Sequence, residues 1–308
     1  DLYDAIATVM GTPGAAGEDA TPLVTRHTLR EIQTGHRAHL LLAEDNPVNQ
    51  KVAARMLEKL GYRVDVAQNG LEALEALARN RYAAVLMDVQ MPEMDGYEAT
   101  AEIRRREHEA ALAGRGKSLN TPIIAMTANA MQGDREKALT AGMDDYLAKP
   151  VHQEELAEVL DRWAAQRPAE AGEAATGGVL ATEDSAEREA NGDDRPLDPK
   201  VLAGLRELGD AELLSELAEM FLDDASSRLA ALRGVIEDGD AHAVERAAHT
   251  LKGSSGNMGA TGMAAICAEL EEAGASGDLA RAPGLLERLE EEFGRVRPAL
   301  EAEMEGGT

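Results

Sequence analysis

L-L-L-A-E-D-N-P-V-N-Q at residues 40–50 reads as a strand, an acidic turn and the start of a helix. Leu40–Ala43 is an apolar run without alternation, the pattern of a strand buried on both faces. Glu44-Asp45 follows at its carboxyl end. Asn46 then offers a side-chain cap, and Pro47 suits the first helical position, where no N–H is needed.

The same rhythm repeats outward from this stretch. Apolar runs recur at Val64–Ala67, Ala83–Met87, Ile123–Met126 and Tyr146–Ala148. Helical patterns separate them, from Asn46-Pro47, from Asn69-Gly70, and over roughly 96–108, 130–140 and 152–166. Five strands alternating with five helices predict an α/β unit over 39–167, a doubly wound parallel sheet with helices on both faces. Residues 196–300 carry no strand signal. Helical patterns over about 198–208, 210–238, 240–258, 261–275 and 281–300 predict an all-α antiparallel bundle. Between the two units, 168–195 is rich in Ala, Gly and Glu and reads as a disordered acidic linker. A second linker is expected over 11–38, the end of a preceding domain over 1–10 and a tail over 301–308.

The chain carries 57 acidic against 31 basic side chains, a formal net charge of −26. The charge is uneven: −5 over 39–167, −6 over 168–195 and −13 over 196–308. So acidic a chain repels phosphate backbones, which argues against nucleic-acid binding. No apolar run approaches the roughly 20 residues of a membrane span, so no membrane contact is expected of this segment. Aromatics are only 3%, so the cores must be aliphatic. The lone Cys267 cannot form an internal disulfide and fits a reducing, cytoplasmic setting.

Ligands of open α/β sheets sit outside the carboxyl ends of the strands. Here those ends carry Glu44-Asp45, Asp88, Thr127 and Lys149-Pro150. Three carboxylates in one crevice would repel each other, and a hard dication such as Mg²⁺ would relieve them. Mg²⁺ also accepts phosphate oxygens, so the set points to phosphoryl chemistry, with Thr127 and Lys149 on the remaining oxygens.

The segments L-L-L-A-E-D-N-P-V-N-Q, M-D-V-Q-M-P-E-M-D-G at 87–96, M-T-A-N-A at 126–130 and Y-L-A-K-P at 146–150 resemble a response-regulator receiver domain. The resemblance implies strand order 2-1-3-4-5, with Asp88 as phosphoacceptor. It implies Mg²⁺ held by Glu44, Asp45, Asp88 and the Gln90 backbone carbonyl. Thr127 and Lys149 would bind the phosphoryl group, Tyr146 would be the switch aromatic, and Lys149-Pro150 would be cis. One departure stands out: residues 107–120 lengthen the loop before the fourth strand. Gly116-Lys117-Ser118 looks like the end of a phosphate loop, but it follows a helix rather than a strand and lacks the earlier glycine.

A second chemistry lies in the bundle. On a wheel at about 100° per residue, Val244, Ala247, Ala248, Leu251, Ser255 and Met258 form the buried stripe of the helix near 240–258. His249 falls about 140° from Val244, which predicts an exposed imidazole, with Gly253 and Gly256 beside it and Lys252 one turn along. Each helical glycine costs about 1 kcal/mol relative to alanine. Access for another protein surface is a reason to bear that cost. A-H-T-L-K-G-S-S-G-N-M-G-A at 248–260 resembles a histidine phosphotransfer (HPt) domain, a four-helix bundle. It implies His249 as the phosphohistidine and Lys252 as its helper. His242 lies on a similar face without the motif and reads as a surface residue.

A receiver aspartate and an HPt histidine in one chain make a phosphorelay. The 28-residue linker, spanning roughly 30 Å as a coil, lets Asp88 and His249 meet. The segments 2–10 and 23–31 resemble the end of a receiver-like domain and a connector between tandem receivers. The expected parent is therefore a hybrid histidine kinase, anchored in the inner membrane, with its ATP-binding domain upstream. Expected partners are a histidine kinase domain, in the same parent or in trans, and a downstream response regulator. Two other readings compete: a phosphorylation-controlled binding module, and a Mg²⁺-dependent phosphatase, which Gln90 disfavours because such enzymes place a general acid there.

Overall fold

The computed structural model describes residues 38–113, 120–127, 132–163, 195–209 and 211–306. The expectations for 1–10, for nearly all of both linkers and for Gly116-Lys117-Ser118 lie outside these residues.

The α/β unit runs β1 His39–Ala43, α1 Pro47–Lys59, β2 Arg63–Ala67, α2 Gly70–Arg79, β3 Ala84–Asp88, α3 Gly96–Leu112, β4 Ile123–Thr127, α4 Gln132–Thr140, β5 Asp145–Ala148 and α5 Gln153–Trp163. All strand pairs are parallel, in the order β2-β1-β3-β4-β5. The order reverses between β1 and β3, so the crevice opens where Glu44 and Asp88 leave the sheet. Strand alternation divides the core. Leu41, Ala43, Val85, Met87, Ile123 and Ala125 pack on one face with α2 and α3 residues such as Leu74 and Ile103. Leu40, Leu42, Leu86, Ile124 and Met126 pack on the other with Val48, Val52, Leu57, Leu156 and Leu160.

The helix starts at Asn46-Pro47 and Asn69-Gly70 are those of the sequence reading. Asn46 Oδ1 accepts from Val48 N at 2.9 Å and Asn49 N at 3.1 Å, with Pro47 opening α1. Asp95 and Glu98 form a reciprocal capping box at the start of α3. The helix expected over roughly 96–108 instead continues to Leu112, taking in the first part of the stretch expected to lengthen the loop. Arg104 explains part of this: it binds Glu107, the Thr121 and Gly142 carbonyls and Asp144, which ties the late turns of α3 to the entry of β4.

The helical unit comprises α6 Pro199–Leu208, α7 Ala211–Glu237, α8 Ala241–Asn257, α9 Thr261–Ser276, a short 3₁₀ turn at Leu279–Arg281 and α10 Ala282–Gly306. Helices α7 to α10 close the bundle, each packed on two of the others. Its core is aliphatic apart from Phe221 and Phe293, as the low aromatic content requires. Residues 301–306, expected as a tail, extend α10 by more than a turn.

The two units touch. α1 lies against α6, α7 and α8, and one apolar cluster runs from the α1 side of the sheet into the bundle. Among the described residues no helix is long and apolar enough to cross a membrane.

Candidate functional site

The strand ends converge as expected. One carboxylate oxygen each from Glu44, Asp45 and Asp88 falls within 4.8 Å of the others. Glu44 and Asp88 are 2% and 1% exposed. Lys149 Nζ donates to Glu44 Oε2 and to Asp88 Oδ2, both at 2.6 Å. The Gln90 backbone N–H donates to Asp88 Oδ1 at 3.2 Å. Thr127 ends β4, buried, and Tyr146 lies half-buried in β5 three residues before Lys149. The Lys149-Pro150 bond is cis. Gly96 is demanded by space, since a Cβ there would sit 2.1 Å from the Asp88 carbonyl oxygen.

The electrostatics of this crevice are unbalanced. Burial pushes the Asp88 carboxyl well above its ordinary range; Lys149 pulls it down, while Glu44 and Asp45 add to the rise. Burial, then repulsion from Glu44, lifts Asp45 to about 6. Burial works against the Lys149 ammonium, but Asp88 and Glu44 outweigh it and hold the proton on. One ammonium thus faces three carboxylates. An all-oxygen donor set short of positive charge fits a hard dication better than it fits nothing.

His249 differs from its expectation. It is only 5% exposed, not an open imidazole on an outer face. The wheel considered α8 within a lone bundle. In the fold, α9 flanks the histidine and α1 covers the same side of α8. His249 Nδ1 lies 2.7 Å from Glu271 Oε1, and Lys252 Nζ donates to the other oxygen of the same carboxylate. Burial alone would raise Glu271, but hydrogen bonds from His249 and Lys252 hold it below its usual range. A carboxylate can only accept, so Nδ1 donates to it, and in the neutral ring Nε2 then keeps the lone pair. His242 is exposed beside Glu245, the surface role expected of it.

Sequence reasoning missed Glu271. It lies 22 residues beyond His249, in the acidic run Glu269–Glu272, and only the packing of α9 on α8 selects it. It also missed the polar residues between the units. Asn49 Nδ2 donates to Glu44 Oε1 at 2.8 Å, and Asn257 Nδ2 donates to Asn49 Oδ1 at 2.8 Å. Asn46 Nδ2 donates to Asp224 Oδ2 at 2.8 Å, which also accepts from Arg228 Nε at 2.7 Å. Lys51 pairs with Glu216. The glycines do admit a protein surface, and here it belongs to the same chain. A Cβ on Gly253 would lie 3.1 Å from the Asn49 amide nitrogen, and one on Gly256 would lie 3.8 Å from the Pro150 ring.

Comparison with known proteins agrees with both halves. Residues 40–161 match the response regulator receiver domain family, and residues 216–299 match the Hpt domain family. The sensor histidine kinase GacS of Pseudomonas protegens is 30% identical over 286 residues, covering 92% of this chain and 29% of its own length. Probable histidine kinase 1 of Oryza sativa subsp. indica is 40% identical over 152 residues, covering 42% of this chain and 16% of its own. The receiver domain of the sensor histidine kinase PA1611 of Pseudomonas aeruginosa PAO1, solved with magnesium in its cleft, is 50% identical. It covers 42% of this chain and 100% of that one, with a TM-score of 0.37. The chain thus spans less than a third of these two curated relatives' lengths. It is similar to sensor and hybrid histidine kinases, and it carries a response regulator receiver domain match followed by an Hpt domain match, the composition of a two-component phosphorelay protein.

Proposed function

We propose that this chain is the output end of a hybrid sensor histidine kinase. It accepts a phosphoryl group on Asp88, passes it to His249 and hands it to a separate response regulator. The observation that carries this reading is the pairing of two unlike sites in one folded unit. A buried aspartate stands beside a lysine and two further acids, and a histidine is held in one tautomer by Glu271.

Mg²⁺ would be held by Glu44, Asp45, Asp88 and the Gln90 carbonyl, and would offset negative charge on the transferring group. Lys149, already within 2.6 Å of Asp88, and the Thr127 hydroxyl would meet the other phosphoryl oxygens. In the transfer, the bond from phosphorus to the Asp88 carboxylate breaks as a bond from phosphorus to His249 Nε2 forms. Asp88 leaves as a carboxylate. The Nδ1 proton stays in its hydrogen bond to Glu271, which balances the positive charge developing on the ring. Aspartyl phosphate is a mixed anhydride and phosphohistidine a phosphoramidate, so the exchange runs in both directions. Lys252, one turn along α8, neutralises Glu271 in the resting state.

Domain limits of 39–167 and 196–300 serve this reading, as does a kinase domain lying upstream or in another protein, with the segment in the cytoplasm and its parent in the inner membrane. The test is labelling with acetyl phosphate. Label that is acid-labile and base-stable should appear in the intact chain and be absent from His249→Ala. If all label remains base-labile in both, Asp88 is a switch for binding and no relay operates. Rapid release of free phosphate would favour a phosphatase.

A further inference from the structure

His249, Gly253 and Asn257 are spaced four residues apart on α8, so they line one face of the helix over about 12 Å. That face rests on α1 of the receiver. Asn49 is seated on it, 4% exposed, with Gly253 leaving the space beside its amide and Asn257 donating to its oxygen. The orientation of the Asn49 amide is not free. Its NH₂ is committed to Glu44, an acceptor, so its oxygen faces α8 and only a donor can meet it. Glu44 in turn binds Lys149, which binds Asp88. A continuous hydrogen-bonded string therefore runs from the phosphoacceptor to the histidine-bearing helix.

We infer that Asn257, acting through Asn49, is a specificity-determining residue that seats this chain's own Hpt face on its own receiver and favours transfer within the chain. Resting on the relay reading, the inference assigns direction to a transfer whose two ends that reading leaves open to partners in trans. An acceptor-only side chain at 257 would face the Asn49 oxygen with no proton between them. Asn49 is itself buried, so truncation at 257 leaves its oxygen without its protein donor. Asn257 touches no reacting atom; its role is positioning. Of the companion contacts on the same seam, Lys51 pairs with Glu216, and Asn46, which donates to Asp224, meets Glu44 only through its backbone N–H at 3.4 Å, longer than the 2.8 Å side-chain bond from Asn49.

The test is a competition within one tube. The intact chain is labelled at Asp88 with acetyl phosphate in the presence of a size-tagged Asp88→Asn chain, which can accept only on its histidine. The quantity read is the ratio of acid-labile label on the chain's own His249 to that on the tagged chain. Because it is a ratio, it does not depend on how much label Asp88 takes up. Asn257→Asp should lower it by about tenfold, and Asn257→Ala by about three- to fivefold. Alanine is the better helix former and keeps α8 intact. Asn49→Ala combined with Asn257→Ala should return the ratio to that of Asn49→Ala alone, because a receiver without Asn49 gains nothing from either chain's Asn257. An unchanged ratio, with label still reaching the chain's own His249, overturns the inference and leaves the relay standing. Acid-labile label on neither chain overturns the relay and the inference with it.

Discussion

The two sites proposed to carry the phosphoryl group are built with opposite charge balance. In the receiver crevice three carboxylates share one lysine, and burial lifts both Asp45 and Asp88. In the bundle one carboxylate, Glu271, serves a histidine and a lysine, and its carboxyl is held low. The first site is in deficit until positive charge arrives from outside. The second is complete within the protein. The difference teaches that the acidic crevice calls for added positive charge, while the histidine end relies on the placement of one partner within the fold.

The sharpest way to break this comparison is to remove each acceptor. Asp88→Asn should abolish all labelling by acetyl phosphate, and His249→Gln should abolish only the acid-labile, base-stable fraction, as read on gels treated with acid or base. Stripping divalent cations with EDTA comes next. Labelling of Asp88 should fall on the order of 10²–10³-fold and return with Mg²⁺, whereas phosphohistidine already formed should persist. Glu271→Gln should slow transfer to His249 by about ten- to a hundredfold in single-turnover assays, with Asp88 labelling unchanged. An effect of Glu271→Gln on Asp88 labelling would mean the two sites are not separable in this way.

The smallest expected effects are on stability, and they have opposite signs. Asp45 is held at about 6 against an ordinary 3.8, so the unfolded chain loses this proton first. Its contribution is full below about pH 4 and is lost as the pH rises through 6. Asp45→Asn should therefore stabilise the metal-free chain at pH 7, by up to about 3 kcal/mol, with the gain vanishing toward pH 4. Glu271 is held low, so its contribution is present at neutral pH and is lost in acid. Glu271→Gln should destabilise at pH 7 and converge with the parent as the pH falls below about 4. Urea melts at two pH values check both.

What could be read from the residues follows the range of the forces involved. The crevice was legible because each of its members terminates a strand, and a strand end is announced locally by an apolar run stopping at a polar residue. Asn46 was legible as a cap for the same reason. Glu271 was not, because its meeting with His249 depends on the packing of α9 on α8, and Glu269, Glu271 and Glu272 are indistinguishable in sequence. The exposure of His249 was misread because the helical wheel sees one bundle and not the receiver helix laid across it. The last turn of α3, residues 109–112, is not legible because an inserted length reads as loop, whereas Arg104 anchors the late turns of the helix to the entry of β4.

Cys267 has had no part in the chemistry, yet its position has a use. It is the single cysteine of the chain, fully buried in α9, and burial, opposed by Lys252 and abetted by Glu271, pushes its thiol up. A thiol so placed reacts with an alkylating reagent only when the surrounding helices part. The rate of its modification is thus a clock for the breathing of the histidine-bearing bundle, already installed in the native chain and readable without a label.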